Sequence, residues 1–219
     1  MIPDQVIKSK RKTLSISINE NAQLIVRAPN RISDARIQEF INEKSSWIIK
    51  NKNLIKLRLQ NTEKDQNDLL YLGEYFPIKK NIKSLKKVSF NGEEFITNLE
   101  NQSQLSNALK IWYKDKFKEL AIPRLNYFVD KYGLTINQVR LKRQKTLWGS
   151  CSSRNNINLN FLLIMAPLKV IDYVIIHELV HTIHKNHSAN FWSAVEDIMP
   201  NYKDPKNWLK ENGYKLRTL

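Results

Sequence analysis

His177-Glu178-Leu179-Val180-His181 is the stretch of this 219-residue chain from which its fold and chemistry can be worked out. It lies in an apolar segment that predicts one helix from Pro167 to about Lys185, because proline fits a first helical turn, where its missing N–H costs nothing. Apolar side chains recur along this segment at helical spacing: Val170, Ile171, Val174, Ile175, Leu179 and Ile183. The motif is therefore expected on a mostly apolar helix.

Two histidines of the motif are four residues apart, so both imidazoles leave the same face of the helix one turn apart. His177 and His181 can then share one Zn²⁺ ion at bond lengths of about 2.0–2.1 Å. Glu178 is the next residue after His177 and can reach a water at the ion without ligating the metal, which suits a general base.

A catalytic zinc usually takes three protein ligands, and three side chains compete for the third place. His187 can return to the metal if the helix stops near Asn186, which tolerates the left-handed conformation of a helix end. Glu196 lies on the next helical stretch. His184 is seven residues from His177, which on one helix is roughly 10 Å and too far for a shared ion. We rank His187 first, Glu196 second and His184 last.

An HExxH pattern alone gives many false positives, and a lone buried histidine is more often structural. Here all four histidines of the chain lie between residues 177 and 187. Such clustering on top of the required spacing favours a metal site over a structural role.

The composition is that of a globular protein, with 42% hydrophobic and 10% aromatic residues. The formal net charge of +15 indicates attraction to polyanions such as nucleic acid, although a basic solvated surface is the plainer explanation. Cys151 is the only cysteine, which excludes an internal disulfide and agrees with a reducing compartment. No signal peptide and no apolar run of about 20 residues is visible, so we expect a soluble, cytoplasmic protein without membrane association.

Residues 1–100 predict a small α+β N-terminal region, and residues 101–219 the domain that contains the motif. The N-terminal region is expected to hold a hairpin over residues 14–28, a helix over 34–59 that Ser33 caps, a polar linker over 60–68, and short strands at 69–72, 75–78, 88–90 and 95–97. A long helix over 105–132 follows, with an interruption expected at Pro123 and a stop at Gly133.

Two strands are predicted directly before the motif helix, over residues 136–145 and 156–162, with a turn at 148–153 between them. A hairpin at this place offers an edge onto which an extended peptide could add as one more strand. The first strand carries four basic residues without an acidic one, so positive charge and anion binding are expected near the site: Arg140, Lys142, Arg143 and Lys145. Trp148 and Gly149 are equally consistent with ordinary turn packing.

Several short motifs together resemble one known family. They are Trp148-Gly149-Ser150-Cys151-Ser152, the HELVH stretch, Asn186-His187-Ser188 and Phe191-Trp192. The chain resembles the bacterial YgjP-like metallopeptidases, which belong with the SprT-like zinc peptidases, and the resemblance is densest over about residues 135–215. It implies one zinc per chain held by His177, His181 and His187, with Glu178 as general acid–base. It also implies an α+β fold whose zincin-like core combines a small sheet with the HExxH helix.

Further side chains are candidates for contacts with the substrate or with the oxyanion: His184, Ser150, Trp148 and Tyr202. Ser188 is expected to cap a helix whose Phe191 and Trp192 form the core beneath the metal site.

The sequence favours a zinc metalloendopeptidase that hydrolyses polypeptides with a zinc-activated water, with nucleic-acid-associated proteins as one substrate class. A metal-dependent nucleotide phosphohydrolase stays open, because zinc with surrounding lysines also suits phosphoryl transfer. The chain shows no Gly-rich phosphate loop, which counts against that alternative. A non-catalytic module that binds zinc and nucleic acid is the third hypothesis, and Glu178 argues against it because a structural site needs no base.

Overall fold

The fold comes from a computed structural model, which describes residues 1–19, 21–62, 68–217 and 219. The backbone separates into two compact units, Met1–Gln66 and Asn67–Leu219. Most of the expected linker, residues 63–67, lies outside the described residues. The boundary expected at residue 100 stays a prediction.

The first unit contains the expected hairpin and one additional strand. Strands β1 (Gln5–Ser9), β2 (Ser15–Ile18) and β3 (Leu24–Pro29) form a sheet in the order β1-β3-β2. β2 and β3 are antiparallel, as predicted, whereas β1 pairs with β3 in parallel and was not foreseen. Alternating residues of β3 are fully buried in a small core with the helices of the unit.

The helix expected over residues 34–59 is two helices, α1 (Asp34–Glu43) and α2 (Ser45–Thr62). Ser33 caps α1 as predicted, with its side chain accepting from the Arg36 N–H. The break is at Lys44, whose φ of −102° and ψ of 10° leave the helical range. Two serines follow it, and serine hydroxyls compete for backbone hydrogen bonds inside a helix.

The second unit begins with the four short strands that the sequence predicts. They are β4 (Asp68–Tyr71), β5 (Glu74–Lys80), β6 (Val88–Phe90) and β7 (Phe95–Thr97), in the sheet order β4-β5-β7-β6. The β4–β5 turn contains Gly73 at a φ of +93°. Its N–H bonds to the Met165 carbonyl, and a Cβ at Gly73 would approach Pro167 to 2.7 Å. The turn therefore packs closely against the segment that leads into the motif helix.

Helix α3 (Gln102–Tyr132) begins at the Asn101 cap and ends at Gly133 in the left-handed conformation, as the glycine predicts. It continues through Pro123, so the expected interruption is wrong. Arg124, one residue further on, makes a two-pronged ion pair with Asp172 at 2.5 and 2.6 Å. Only 12% of the Asp172 side chain is exposed, and this pair ties α3 to the motif helix.

The sheet before the motif helix has a different topology from the expected one. It contains β8 (Gln138–Lys142), β9 (Gly149–Cys151) and β10 (Asn156–Asn160) in the order β8-β10-β9. β8 runs parallel to β10, and the hairpin joins β9 to β10, so residues 149–151 are a strand and the turn expected at 148–153 is wrong. Buried Asn160 donates to the carbonyls of Gln144 and Leu147, which holds the crossover between β8 and β9.

The motif helix is α4 (Leu168–Val180), which follows a short 3-10 helix, Phe161–Met165. Most of its residues are buried, and it contacts α3, β9, β10 and the two helices that follow, α5 (Ala189–Ile198) and α6 (Lys203–Asn212). A second 3-10 helix, Lys215–Arg217, lies near the C-terminus.

α4 ends five residues earlier than expected. The Thr182 hydroxyl donates to the Leu179 carbonyl at 2.7 Å, and the His184 N–H donates to the Val180 carbonyl, so these bonds close the helix end. Ile183, which the periodicity assigned to the apolar face, is 61% exposed.

The described part of the chain contains no helix long and apolar enough to cross a membrane. The predicted α+β fold with a small sheet beside the HExxH helix is confirmed, and the zincin-like character of this core stays a prediction.

Candidate metal centre and active site

Three histidines converge at the C-terminal end of α4. His177 lies in its last turn, His181 caps its end, and His187 belongs to the segment that turns back towards α5. One ligand nitrogen from each ring lies within 4.8 Å of the others, and the Nε2 atoms of His177 and His187 are 3.0 Å apart. The early end of α4 provides the chain reversal that His187 requires.

His181 is oriented by a main-chain contact. Its Nδ1 lies 2.9 Å from the His184 carbonyl oxygen and donates to it, which leaves Nε2 free as a ligand. Sequence reasoning considered only the imidazole of His184 and missed this role of its carbonyl. A backbone carbonyl leaves no signal in a sequence.

An aromatic base supports the three rings. Phe191 is fully buried, with its ring centroid 4.5 Å from that of His181 and 4.9 Å from that of His177. Trp192 stacks on His187 at 5.7 Å and 23°. Ser188 caps α5 by accepting from the Phe191 N–H. The predicted cap and the predicted aromatic core beneath the site are both confirmed.

The environment favours the neutral form of two of the imidazoles, those of His177 and His181. Burial, which has the largest effect, and the positive charges that His181, His187 and Lys206 can carry together lower the pKa of His177 to about 3. Burial also lowers the pKa of His181. Neutral imidazole is the form that ligates metals, so His177 and His181 are in the required state at neutral pH.

The residues fit a divalent ion. Nitrogens bound tetrahedrally at 2.0–2.1 Å are about 3.3 Å apart, close to the separation of His177 Nε2 and His187 Nε2. Within the described ranges, these three histidines are the only group of three or more His, Cys, Asp or Glu side chains with ligand atoms this close. Glu196 is exposed on α5 and belongs to no such group. Imidazole ligands suit zinc, copper, iron and nickel.

Glu178 lies beside this group and is only 5% exposed. Burial raises the pKa of its carboxyl to about 8. Gly149 of β9 packs directly on the carboxyl group, because a Cβ at that position would come within 2.5 Å of Glu178 Cγ and Oε1. Only glycine leaves this space, so Gly149 belongs to the site and is more than a packing residue.

The sequence model of the YgjP-like metallopeptidase domain matches residues 12–212. The chain belongs to the YgjP-like metallopeptidase family. It is therefore a metal-dependent hydrolase, and the resemblance inferred from the WGSCS, HELVH and NHS motifs is confirmed.

The solved structures that are similar over part of the chain include the crystal structure of the metallopeptidase zymogen of Pyrococcus abyssi abylysin. The match has 24% sequence identity and a TM-score of 0.38, and it covers 41% of this chain and 90% of that chain. No curated protein matches significantly.

Three other candidate contact residues of this YgjP-like protein make contacts within the fold: Trp148 and Ser150 with parts other than the three histidines, and Tyr202 with the aromatic base of the site. The Trp148 ring packs against Gly213 and lies 4.2 Å from the Arg217 guanidinium, so it anchors the C-terminal residues. The Ser150 hydroxyl accepts from Asn158 Nδ2, and alternation along β9 puts it on the sheet face opposite Gly149. Tyr202 is buried and stacks on Trp192 at 5.4 Å.

The basic residues of β8 also lie away from Glu178. Arg140 pairs in register with Asn158, so Arg140 and Lys142 share the sheet face that Ser150 occupies. This is contrary to the expectation that their charge lies near the cleft. Beyond the strand, Arg143 donates to the Leu219 carbonyl, and the Lys145 carbonyl accepts from Arg217. Anion binding by these four residues stays a prediction.

The geometry separates the roles of His187 and His184. We expect His187→Ala to weaken zinc binding by at least about 100-fold, because the protein loses a ligand nitrogen. His184→Ala should leave zinc affinity within about threefold of the wild type, since the carbonyl that orients His181 remains. Competition with a chromophoric chelator measures both affinities. Unchanged zinc binding in His187→Ala, with loss in Glu196→Ala, would instead assign the third ligand to Glu196.

Proposed function

We propose that this protein is a zinc endopeptidase in which His177, His181 and His187 hold one zinc ion and Glu178 is the general acid–base. The observation that carries the proposal is the buried Glu178 carboxyl, which belongs to the residue directly after His177 of the three convergent imidazoles and lies against the side-chain-free backbone of Gly149. A structural metal site would not require a carboxyl group there.

The chemistry divides between the metal and the chain. When bound, zinc supplies Lewis acidity, which makes water a stronger acid and polarises a carbonyl group. Glu178 takes the proton of the attacking water at a carboxylate oxygen and later gives it to the leaving amine. Because burial favours the neutral carboxyl, Glu178 can hold this proton between the two transfers. A cation nearby would favour the ionised form and so prepare the group to accept the proton.

The edge of the small sheet supports an extended polypeptide as the substrate. β9 is an edge strand, and its neighbour β10 bonds to the Trp148 carbonyl and the Ser152 N–H. By alternation, the backbone groups of Gly149 and Cys151 point away from β10. A peptide that pairs with them as a further strand would pass the Glu178 carboxyl, which Gly149 contacts.

Action on nucleic-acid-associated proteins and a nucleotide phosphohydrolase activity both depend on positive charge at the site. Arg140 and Lys142, two of the four basic residues whose charge was expected near the site, lie on the opposite face of the sheet from Gly149. These two residues therefore do not favour either hypothesis over plain peptide hydrolysis.

The decisive comparison is between the wild type and Glu178→Gln on an unfolded protein substrate. We expect the wild type to cleave it and kcat/KM to fall by about 10³-fold in the zinc-loaded variant, because proton transfer typically contributes 10²–10⁴-fold. Glu196→Gln serves as a control and should keep wild-type activity. The proposal fails if the fully zinc-loaded wild type cleaves no polypeptide, or if Glu178→Gln remains active.

A methyl group at position 149 should disturb Glu178 without touching the metal ligands. We expect Gly149→Ala to lower kcat by about 10- to 100-fold, because the displaced carboxyl no longer meets the attacking water in the right geometry. Ser150→Ala, on the opposite sheet face, should keep kcat within about twofold. Peptide cleavage is measured together with zinc content and thermal unfolding. Wild-type kcat in a folded Gly149→Ala protein would show that the close contact does not position Glu178.

A further inference from the structure

A lysine of α6 lies next to the metal-site rings. The ammonium of Lys206 is 3.7 Å from the ring centroid of Trp192. Trp192 in turn stacks on His187 at 5.7 Å and is 5.8 Å from the His177 ring. Lys206 is therefore a cation at the edge of the metal centre.

This cation is held in place. Tyr202 stacks on Trp192 at 5.4 Å and 18°, which fixes the indole plane on which the ammonium rests. The ammonium is attracted by the negative face of the aromatic ring. Lys206 is solvent-exposed, and none of the ion pairs found in the described part of the chain involves it. The ammonium is thus both preorganised and accessible.

A fixed positive charge beside a divalent ion is unfavourable by itself, because like charges repel and the repulsion weakens metal binding. The repulsion is offset when an anion binds between or beside the two cations. Within the proposed substrate class, the available anions are carboxylates of aspartate, glutamate or the chain terminus. A single ammonium on a fixed support suits one carboxylate, to which it donates charge-assisted hydrogen bonds.

We propose that Lys206 forms a carboxylate-binding subsite beside the metal centre, so that the enzyme prefers polypeptides with an acidic side chain near the scissile bond. This inference rests on the proposed peptidase function and adds a specificity residue to it. Lys206 acts on substrate recognition rather than on proton transfer.

Lys203 is a matched control on the same helix. Its ammonium lies 5.9 Å from the Tyr202 ring, and among the described cation–π contacts it makes none with Trp192. It carries the same charge as Lys206, is also exposed, and lies one helical turn away. Substitution of Lys203 therefore changes the net charge equally while leaving the proposed subsite intact.

The test uses a neutral peptide that the wild type cleaves, with the scissile bond located by mass spectrometry. Each of the four residues nearest that bond, two before it and two after it, is then replaced in turn by glutamate and by glutamine, and the two peptides are compared. At one position we expect the wild type to prefer glutamate by about three- to tenfold in kcat/KM, mostly through KM, as one charge-assisted contact suggests. Lys206→Gln should abolish the preference, Lys206→Arg should retain part of it, and Lys203→Gln should retain it fully.

A binding measurement separates this inference from the peptidase proposal. Fluorescence anisotropy on zinc-loaded Glu178→Gln protein gives the affinity for each labelled glutamate or glutamine peptide without cleavage. The same three- to tenfold difference is expected, and it should disappear when Lys206→Gln is added. The subsite is refuted if the wild type and Lys206→Gln show the same preference for glutamate over glutamine in cleavage and in binding. It is also refuted if Lys203→Gln loses this preference as fully as Lys206→Gln does. In both cases the peptidase function stands. If no peptide is cleaved or bound, the proposed function itself is wrong.

Discussion

The burial of one carboxyl group is the constraint on which the rest of this site depends. Moving an ionised carboxylate from water into a protein interior without a partner costs several kcal/mol of solvation free energy. A buried acidic side chain therefore indicates a functional role or a compensating charge. Glu178 is buried beside three imidazoles, and the adjacent strand contacts it with a glycine backbone. A divalent cation in the imidazole group would offset this cost by favouring the ionised form. The three proposed ligands therefore explain how a buried acid can be ionised at this position.

The fold holds these groups by fixing α4 from several sides. The Arg124–Asp172 ion pair joins it to α3, the Gly73 turn packs on Pro167 at its beginning, and Phe191 of α5 lies under the imidazoles at its end. Since α4 is buried along most of its length, the polar side chains at its C-terminal end cannot move independently of the core. The early end of the helix then brings His187 back to the site.

The features that could be predicted from the sequence are those that local chemistry determines. The spacing of His177 and His181, the Ser33 and Ser188 caps, and the helix stop at Gly133 follow from residue type and short-range geometry. The order β8-β10-β9 could not be predicted, because the crossover depends on contacts of buried Asn160 with a distant loop. The contact of Gly149 with Glu178 and the position of Lys206 over Trp192 also join residues far apart in the chain, which periodicity does not register. Sequence alone thus indicates the chemistry of the site but leaves out the residues that support it.

The most direct test of this account is anomalous diffraction at the zinc absorption edge from crystals of the zinc-loaded protein. We expect one strong peak per chain, with nitrogens of His177, His181 and His187 at about 2.0–2.1 Å and the Glu178 carboxyl unligated beside Gly149. An ion ligated by Glu178 itself, or held by Glu196 with His187 turned away, would contradict the account. If Glu178 itself ligated the ion, it could not act as the base, and the buried carboxyl would need another explanation.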